Sequence, residues 1–328
     1  MLYEDVVYEP IEFKEQVLID LINSKPLQRL KGISQSGLTM FALPWSKVKT
    51  TRFDHSVGVC ILLKRFNASL EEQAAGLLHD VSHTVFSHAL DFLFNRNTQH
   101  DTHEKFYEKI ILNSEIPQIL KSFDISVNSV LNLEKFTLLE KELPDICVDR
   151  IDYYFRDMFL HGRFSKNDIG MMFDRMKTLN SEIIFDDKSA AKFFAEKYME
   201  ANRDIWCTPL EASLYMLISD LMRLGISKGV ITENDLFTTD IQIIEKLKRF
   251  NDSEINQLIN LISNAEVTEN ANDYDFHLKS KVRCVDPKIT ENGNVVRLSE
   301  IDYSYKKKME IYVNELCKGF FVKIKSKK

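Results

Sequence analysis

The hydrophobic pattern changes its period along the chain. Val6, Val7, Ile11 and Phe13 lie among polar neighbours at spacings suited to a short strand or ribbon. From Glu15 the spacing becomes helical, with Val17, Leu18, Leu21 and Ile22 in register. Pro26 is placed to open a second helix over 27–34, since proline is tolerated in a first turn. Residues 36–44 carry glycine, proline and aromatics and read as a loop. Helical patterns follow at 56–67, 70–80, 88–95, 102–113 and 144–160. A second block opens on a strand candidate, Glu182–Phe185, and continues with helical stretches at 189–203, 209–225, 239–250 and 252–263. The last block alternates instead. Tyr274, Phe276, Leu278 and Val282 share one strand face, and Asn292 with Gly293 signals a turn. A helix over 301–317 ends at Gly319, and a final strand covers 320–324. The pattern predicts a mainly α protein: a helical core over 1–180, a helical extension over 181–267, and a small α+β subdomain over 268–328.

Composition narrows the function classes. The chain has 328 residues, 44% hydrophobic and 28% charged, with a net charge of −6. Those are globular values, and the negative balance argues against nucleic acid as the main partner. A local basic pocket for phosphate stays compatible with it. Five cysteines lie far apart with no CxxC pair, which argues for reduced thiols and a cytoplasmic protein. Residues 1–10 do not resemble a signal peptide, and no run approaches the ~20 apolar residues of a membrane span.

The histidines are clustered. Of eight, six fall between His55 and His103: His55, His79, His83, His88, His100 and His103. An apolar run, 74–78, leads directly into His79 and Asp80, where an unpaired buried carboxylate would be costly. A divalent ion bound by imidazole and carboxylate removes that cost. On a continuous helix His79 and His83 would share a face, and a bend at 84–87 would bring His88 back to them. A second acid, Asp149, follows the apolar 146–148 in the same way.

These residues carry a family resemblance. The order His55, His79-Asp80, Asp149 resembles the H…HD…D signature of the HD superfamily, and most closely its deoxynucleoside triphosphate triphosphohydrolase branch. Segments 27–35 (LQRLKGISQ), 51–58 (TRFDHSVG), 79–88 (HDVSHTVFSH), 102–104 (THE) and 148–153 (VDRIDY) look like that branch's ordered motifs. Weaker likeness continues through 209–240 and through 285–287 and 297–299. The resemblance implies an HD-type helical bundle in which His55, His79, Asp80 and Asp149 hold one divalent ion, whether Mn, Mg, Fe, Ni or Zn. His83 and His88 would handle phosphate oxygens, and Asp91 with His103 would form an acid–base dyad. Arg52 and Arg150 would contact phosphates. Gln35, Tyr153 and Asp157 would hold the sugar, with Asp157 accepting from a 3′-hydroxyl. His100 matches no motif and reads as a solvated loop residue.

The chain also departs from the branch. Ser36-Gly37 stands where Leu-Gly is common, and Thr51 and Asp54 replace Asn and Glu. Residues 204–209 (DIWCTP) lack the His and Lys of a motif that contacts activating nucleotide. The expected activity is hydrolysis of a (deoxy)nucleoside triphosphate to nucleoside and triphosphate by a homo-oligomer. The alternatives are an HD phosphohydrolase or phosphodiesterase acting on another nucleotide or phosphate ester, and a non-catalytic nucleotide- or metal-binding regulator. Neither the HDxxED pattern of alarmone hydrolases nor the Gly-Tyr-Pro motif of cyclic-dinucleotide hydrolases is present.

Overall fold

A computed structural model describes residues 1–36, 50–93, 104–279 and 281–326. His103 lies outside these residues, and of Asp91 only the backbone is described, in the short helix Ala89–Leu93. The fold is mainly helical, as the pattern predicts.

Three helices build the centre. Arg52–Arg65 starts at Thr51, whose hydroxyl accepts from the Asp54 amide while the Asp54 carboxylate accepts from the Thr51 amide. Leu70–Leu78 starts at Ser69, which caps Glu72. It stops at Leu78, two residues earlier than the pattern suggests, so His79 and His83 do not share one continuous helix. The expected bend is present, with Phe86 and Ser87 at φ of 60° and 49°, and it brings His88 beside His83. The third helix, Val148–Leu160, begins four residues later than the pattern suggests. Its first amides, Val148 and Asp149, donate to Leu138 O and Leu139 O rather than to a preceding helical turn.

These helices approach closely where glycine stands. A Cβ on Gly58 would fall 2.0 Å from Asp152 Oδ1, and one on Gly76 would fall 2.3 Å from Leu63 Cδ1. Leu78, Ile151, Phe194, Ile218 and Leu298 belong to one hydrophobic cluster, so all three sequence blocks feed the same core.

The strands are short. β1 (Leu2–Tyr3) pairs with β2 (Ile11–Glu12) as an N-terminal ribbon. β3 (Met176–Leu179), β4 (Glu182–Phe185), β7 (Lys288–Glu291) and β8 (Asn294–Arg297) form one sheet in that order, with β4 and β7 parallel. Asn292 and Gly293 both have positive φ and close the β7–β8 hairpin. β5 (Ala265–Glu269), β9 (Phe320–Ser326) and β6 (Phe276–Leu278) form a second sheet. The strand expected over 274–282 shrinks to β6. Its partner β9 starts at Phe320, opposite Leu278, so later residues have no strand to pair with. Among the described residues no helix is long and apolar enough to cross a membrane.

Candidate metal centre

His55 projects from the first central helix into a set of carboxylates. Its ring is fully buried; Nδ1 donates to Asp152 Oδ2 at 2.7 Å. Nε2 then faces Asp149 Oδ1 at 2.8 Å and Asp80 Oδ2 at 3.8 Å. His79, the residue ending the second helix, donates from Nδ1 to Gly76 O at 2.7 Å, which leaves a lone pair on Nε2. That Nε2 is buried and lacks a hydrogen-bond partner, yet stands 3.5 Å from both Asp80 Oδ1 and Asp149 Oδ1. Ligand atoms of His55, His79 and Asp80 all lie within 4.8 Å of one another. Two imidazole nitrogens and two carboxylates are a donor set suited to a first-row divalent ion, and an orphaned buried lone pair aimed among them fits a cation there. Of the four expected ligands, His55, His79 and Asp80 form one cluster, and Asp149 adjoins it through Oδ1, which faces both imidazoles.

The electrostatics agree. Burial opposes ionisation of Asp80, but Arg52, His79 and His83 hold it well below the usual carboxylate range. Burial likewise opposes ionisation of Asp149, but the hydrogen bond from His55 and the nearby His79 imidazole hold it well below the usual carboxylate range. For His55, burial disfavours charge, yet Asp149 and Asp152 push its pKa up to about 10. The surroundings draw positive charge inward.

A supporting layer holds the ligands. Arg52 Nη1 bonds Asp80 Oδ2 at 2.8 Å, and Arg52 Nε donates to Ser87 Oγ at 3.1 Å. The Arg52 guanidinium, expected to contact phosphate, is thus engaged by a ligand, although it also lines the cavity described below. Asp152, which the pattern did not single out, accepts from His55, from Arg156 Nη2 at 3.0 Å and from Tyr8 OH at 2.8 Å. Arg156 in turn meets Asp5 Oδ2 at 3.0 Å. Its sequence signal was the i, i+3 step from Asp149 to Asp152 on one helix. Glu140 and Cys147 also gather around Asp149.

A cavity of about 1690 Å³ opens from this centre. His83 and His88 line it with ring centroids 5.2 Å apart, and His83 Nε2 lies 3.2 Å from Asp80 Oδ1. Tyr153, Asp157 and Trp206 form a further part of its wall. Trp206 Nε1 donates to Asp157 Oδ2 at 2.6 Å, and its ring meets Tyr153 edge-on at 5.2 Å. Trp206 lies in the 204–209 segment that departs from the branch motif. A π-helical turn, Asn202–Trp206, brings its indole to Asp157, which sequence spacing could not reveal. Burial raises the Asp157 carboxyl to about 6. Gln35 lines the cavity with its buried Oε1 unbonded, and Arg150 lines it with Nη1 on Asp145 O at 2.6 Å and Nη2 on Lys141 O at 3.0 Å.

Comparison with known proteins gives concordant results. The HD domain family matches residues 52–157. YdhJ of Bacillus subtilis, an uncharacterized protein, is 34% identical over 99% of both chains. The metal-dependent phosphohydrolase cns2 of Cordyceps militaris is 28% identical over 89% of this chain and 86% of its own. The deoxynucleoside triphosphate triphosphohydrolase SAMHD1 homolog of Dictyostelium discoideum is 22% identical over 84% of this chain and 59% of its own.

Proposed function

The chain belongs to the HD-domain superfamily of metal-dependent phosphohydrolases, with relatives in its dGTPase-like branch, and on that premise we propose that it hydrolyses (deoxy)nucleoside triphosphates to nucleoside and triphosphate. One observation carries this reading: a single cavity joins the candidate metal centre to the wall of Tyr153, Asp157 and Trp206. At about 1690 Å³ it exceeds the ~300–1,000 Å³ of ordinary ligand pockets and has room for a nucleoside and its phosphates.

His55, His79, Asp80 and Asp149 would hold one divalent ion. When bound, the ion supplies Lewis-acid polarisation of a phosphate oxygen and a lowered pKa for water. Arg52 keeps Asp80 ionised and aimed, and Asp152 holds the His55 proton on Nδ1 and aims the ring. The substrate's α-phosphate would sit beside His83 and His88. Water adds to phosphorus, the P–O5′ bond breaks, and the nucleoside oxygen takes up a proton. His83 or His88 can deliver that proton, and the resemblance implies Asp91 and His103 for the same acid–base work. Asp157 would accept from the 3′-hydroxyl, with Tyr153 against the sugar.

Incubation of the purified protein with each dNTP, NTP and dNMP, with Mn²⁺ or Mg²⁺, tests this. Triphosphate and nucleoside should accumulate from a dNTP. Orthophosphate from monophosphates alone would favour the second reading, hydrolysis of another nucleotide or phosphate ester. The Cordyceps relative, matched over most of both chains, bears only the broader name of metal-dependent phosphohydrolase. Tight nucleotide binding without turnover would mark a non-catalytic regulator.

A further inference from the structure

Among the cations that line the cavity, beside Arg52 and Lys141, are Arg150, Lys281 and Arg283. The last two come from the segment after β6, and the hydrophobic pattern gave them no role. Their orientation follows from alternation. Val282 and Cys284 pack against the main core, which turns Lys281 and Arg283 toward the cavity. The segment is held in place from behind, because Tyr312 OH donates to Arg283 O at 3.3 Å and Tyr305 OH donates to Val285 O.

Lys281 and Arg283 are poorly neutralised. Neither the Lys281 ammonium nor the Arg283 guanidinium forms an ion pair or side-chain hydrogen bond with a described residue. Arg150 places its Nη atoms on backbone carbonyls and on Cys147 Sγ, with Glu140 Oε1 3.7 Å from Nη2, and its Nε has no partner. Burial, and then the charges of Arg283 and Arg150, draw the Lys281 pKa down. Glu140 and Asp149 act on Lys281 in the opposite sense but less strongly, so the gathered like charges stay unfavourable unless a further anion joins them.

We infer that Lys281 and Arg283, together with Arg150, bind the phosphates beyond the one held at the metal centre. The site thereby selects a nucleotide with a phosphate chain over a monophosphate. Guanidinium and ammonium groups suit this task, the first by forked hydrogen bonds and the second as a point charge. A monophosphate would occupy the metal centre and leave the cluster unneutralised. The inference rests on the nucleotide reading above and names the part of the chain that sets phosphate number.

The test is calorimetric binding of inorganic tripolyphosphate and of orthophosphate to the full chain with Mn²⁺. Wild type is compared with Lys281→Gln, Arg283→Gln, the double variant and Lys281→Arg. Wild type should bind tripolyphosphate at least tenfold more tightly than orthophosphate. The double variant should lose that preference, Lys281→Arg should keep it, and KM for a dNTP should rise in parallel. Equal tripolyphosphate affinity in wild type and in single variants of unchanged melting temperature would overturn the inference. Those single variants decide the matter if the double variant does not fold. The two readings fail separately. Triphosphate release with an unaltered KM in the variants removes the cluster's role and leaves the activity standing. Cluster-dependent tripolyphosphate binding without dNTP hydrolysis does the reverse.

Discussion

At the residue scale, a ligand and its support should be separable. Asp149→Ala removes an oxygen that faces both ligand imidazoles. Metal content after dialysis, read by mass spectrometry, should fall to near zero along with activity. Undiminished metal in that variant would sink the ligand assignment. Asp152→Asn leaves the four ligands intact but removes the charge behind His55 Nδ1. Metal affinity should drop ~10–100-fold, as is typical when the group behind a ligand histidine is lost. Asp157 has a pH signature. Burial raises its carboxyl from 3.8 to about 6. If the ionised form accepts from the sugar, kcat/KM should rise with pH through about 6, and Asp157→Asn should flatten that limb. The stability sign is opposite. The folded state holds this proton more tightly than the unfolded state, so its contribution to stability declines as pH rises from 3.8 to about 6. Two pKa units correspond to at most about 3 kcal/mol. Urea titrations of wild type and Asp157→Asn across that range should diverge accordingly.

At the element scale, the site depends on how closely two helices cross. Gly58 faces Asp152 and Arg156, and its Cβ would fall 2.0 Å and 2.3 Å from their atoms. Gly58→Ala should therefore push Val148–Leu160 away from Arg52–Arg65. Overpacking of this kind costs ~1–3 kcal/mol, and metal affinity should fall with stability because Asp149 rides on the displaced helix. A variant of unchanged melting temperature and metal content would refute that account. The helices themselves were legible because their apolar spacing is local, although the first starts at Arg52 behind the Thr51 cap, four residues before the pattern placed it. The bend at Phe86 and Ser87 was legible too, since His88 could rejoin the cluster only through one. The end of a helix at Leu78, and the shortening of a strand to Phe276–Leu278, were not. Each is decided by partners distant in sequence.

At the scale of the whole molecule, the N-terminal ribbon supports the centre from outside the cavity. Tyr8 OH reaches Asp152 Oδ1, and Asp5 pairs with the buried Arg156. Neither Asp5 nor Tyr8 lines the cavity. Tyr8→Phe should cost ~1 kcal/mol and weaken metal binding severalfold. Asp5→Ala leaves Arg156 with one carboxylate fewer and should cost ~3–5 kcal/mol, the usual result of removing one partner from a buried pair. With metal saturating, KM should not move in Tyr8→Phe. A raised KM there would mean that the ribbon touches substrate. The segments 1–180, 181–267 and 268–328 share one core cluster, and one sheet joins β3 and β4 to β7 and β8, so a single unfolding transition is expected by fluorescence and circular dichroism.

The sequence by itself determined the helical class and the chemistry of the centre. Helical periodicity is written within a few turns of chain, and a buried acid beside a histidine already demands a cation or a partner. Only the tertiary structure decided what surrounds them. Asp5 and Asp152 are 147 positions apart and meet through Arg156. Trp206 reaches Asp157 across 49 positions, and Lys281 and Arg283 enter the cavity from the far end of the chain. Such contacts depend on how helices cross and where strands find partners, and no local spacing encodes either.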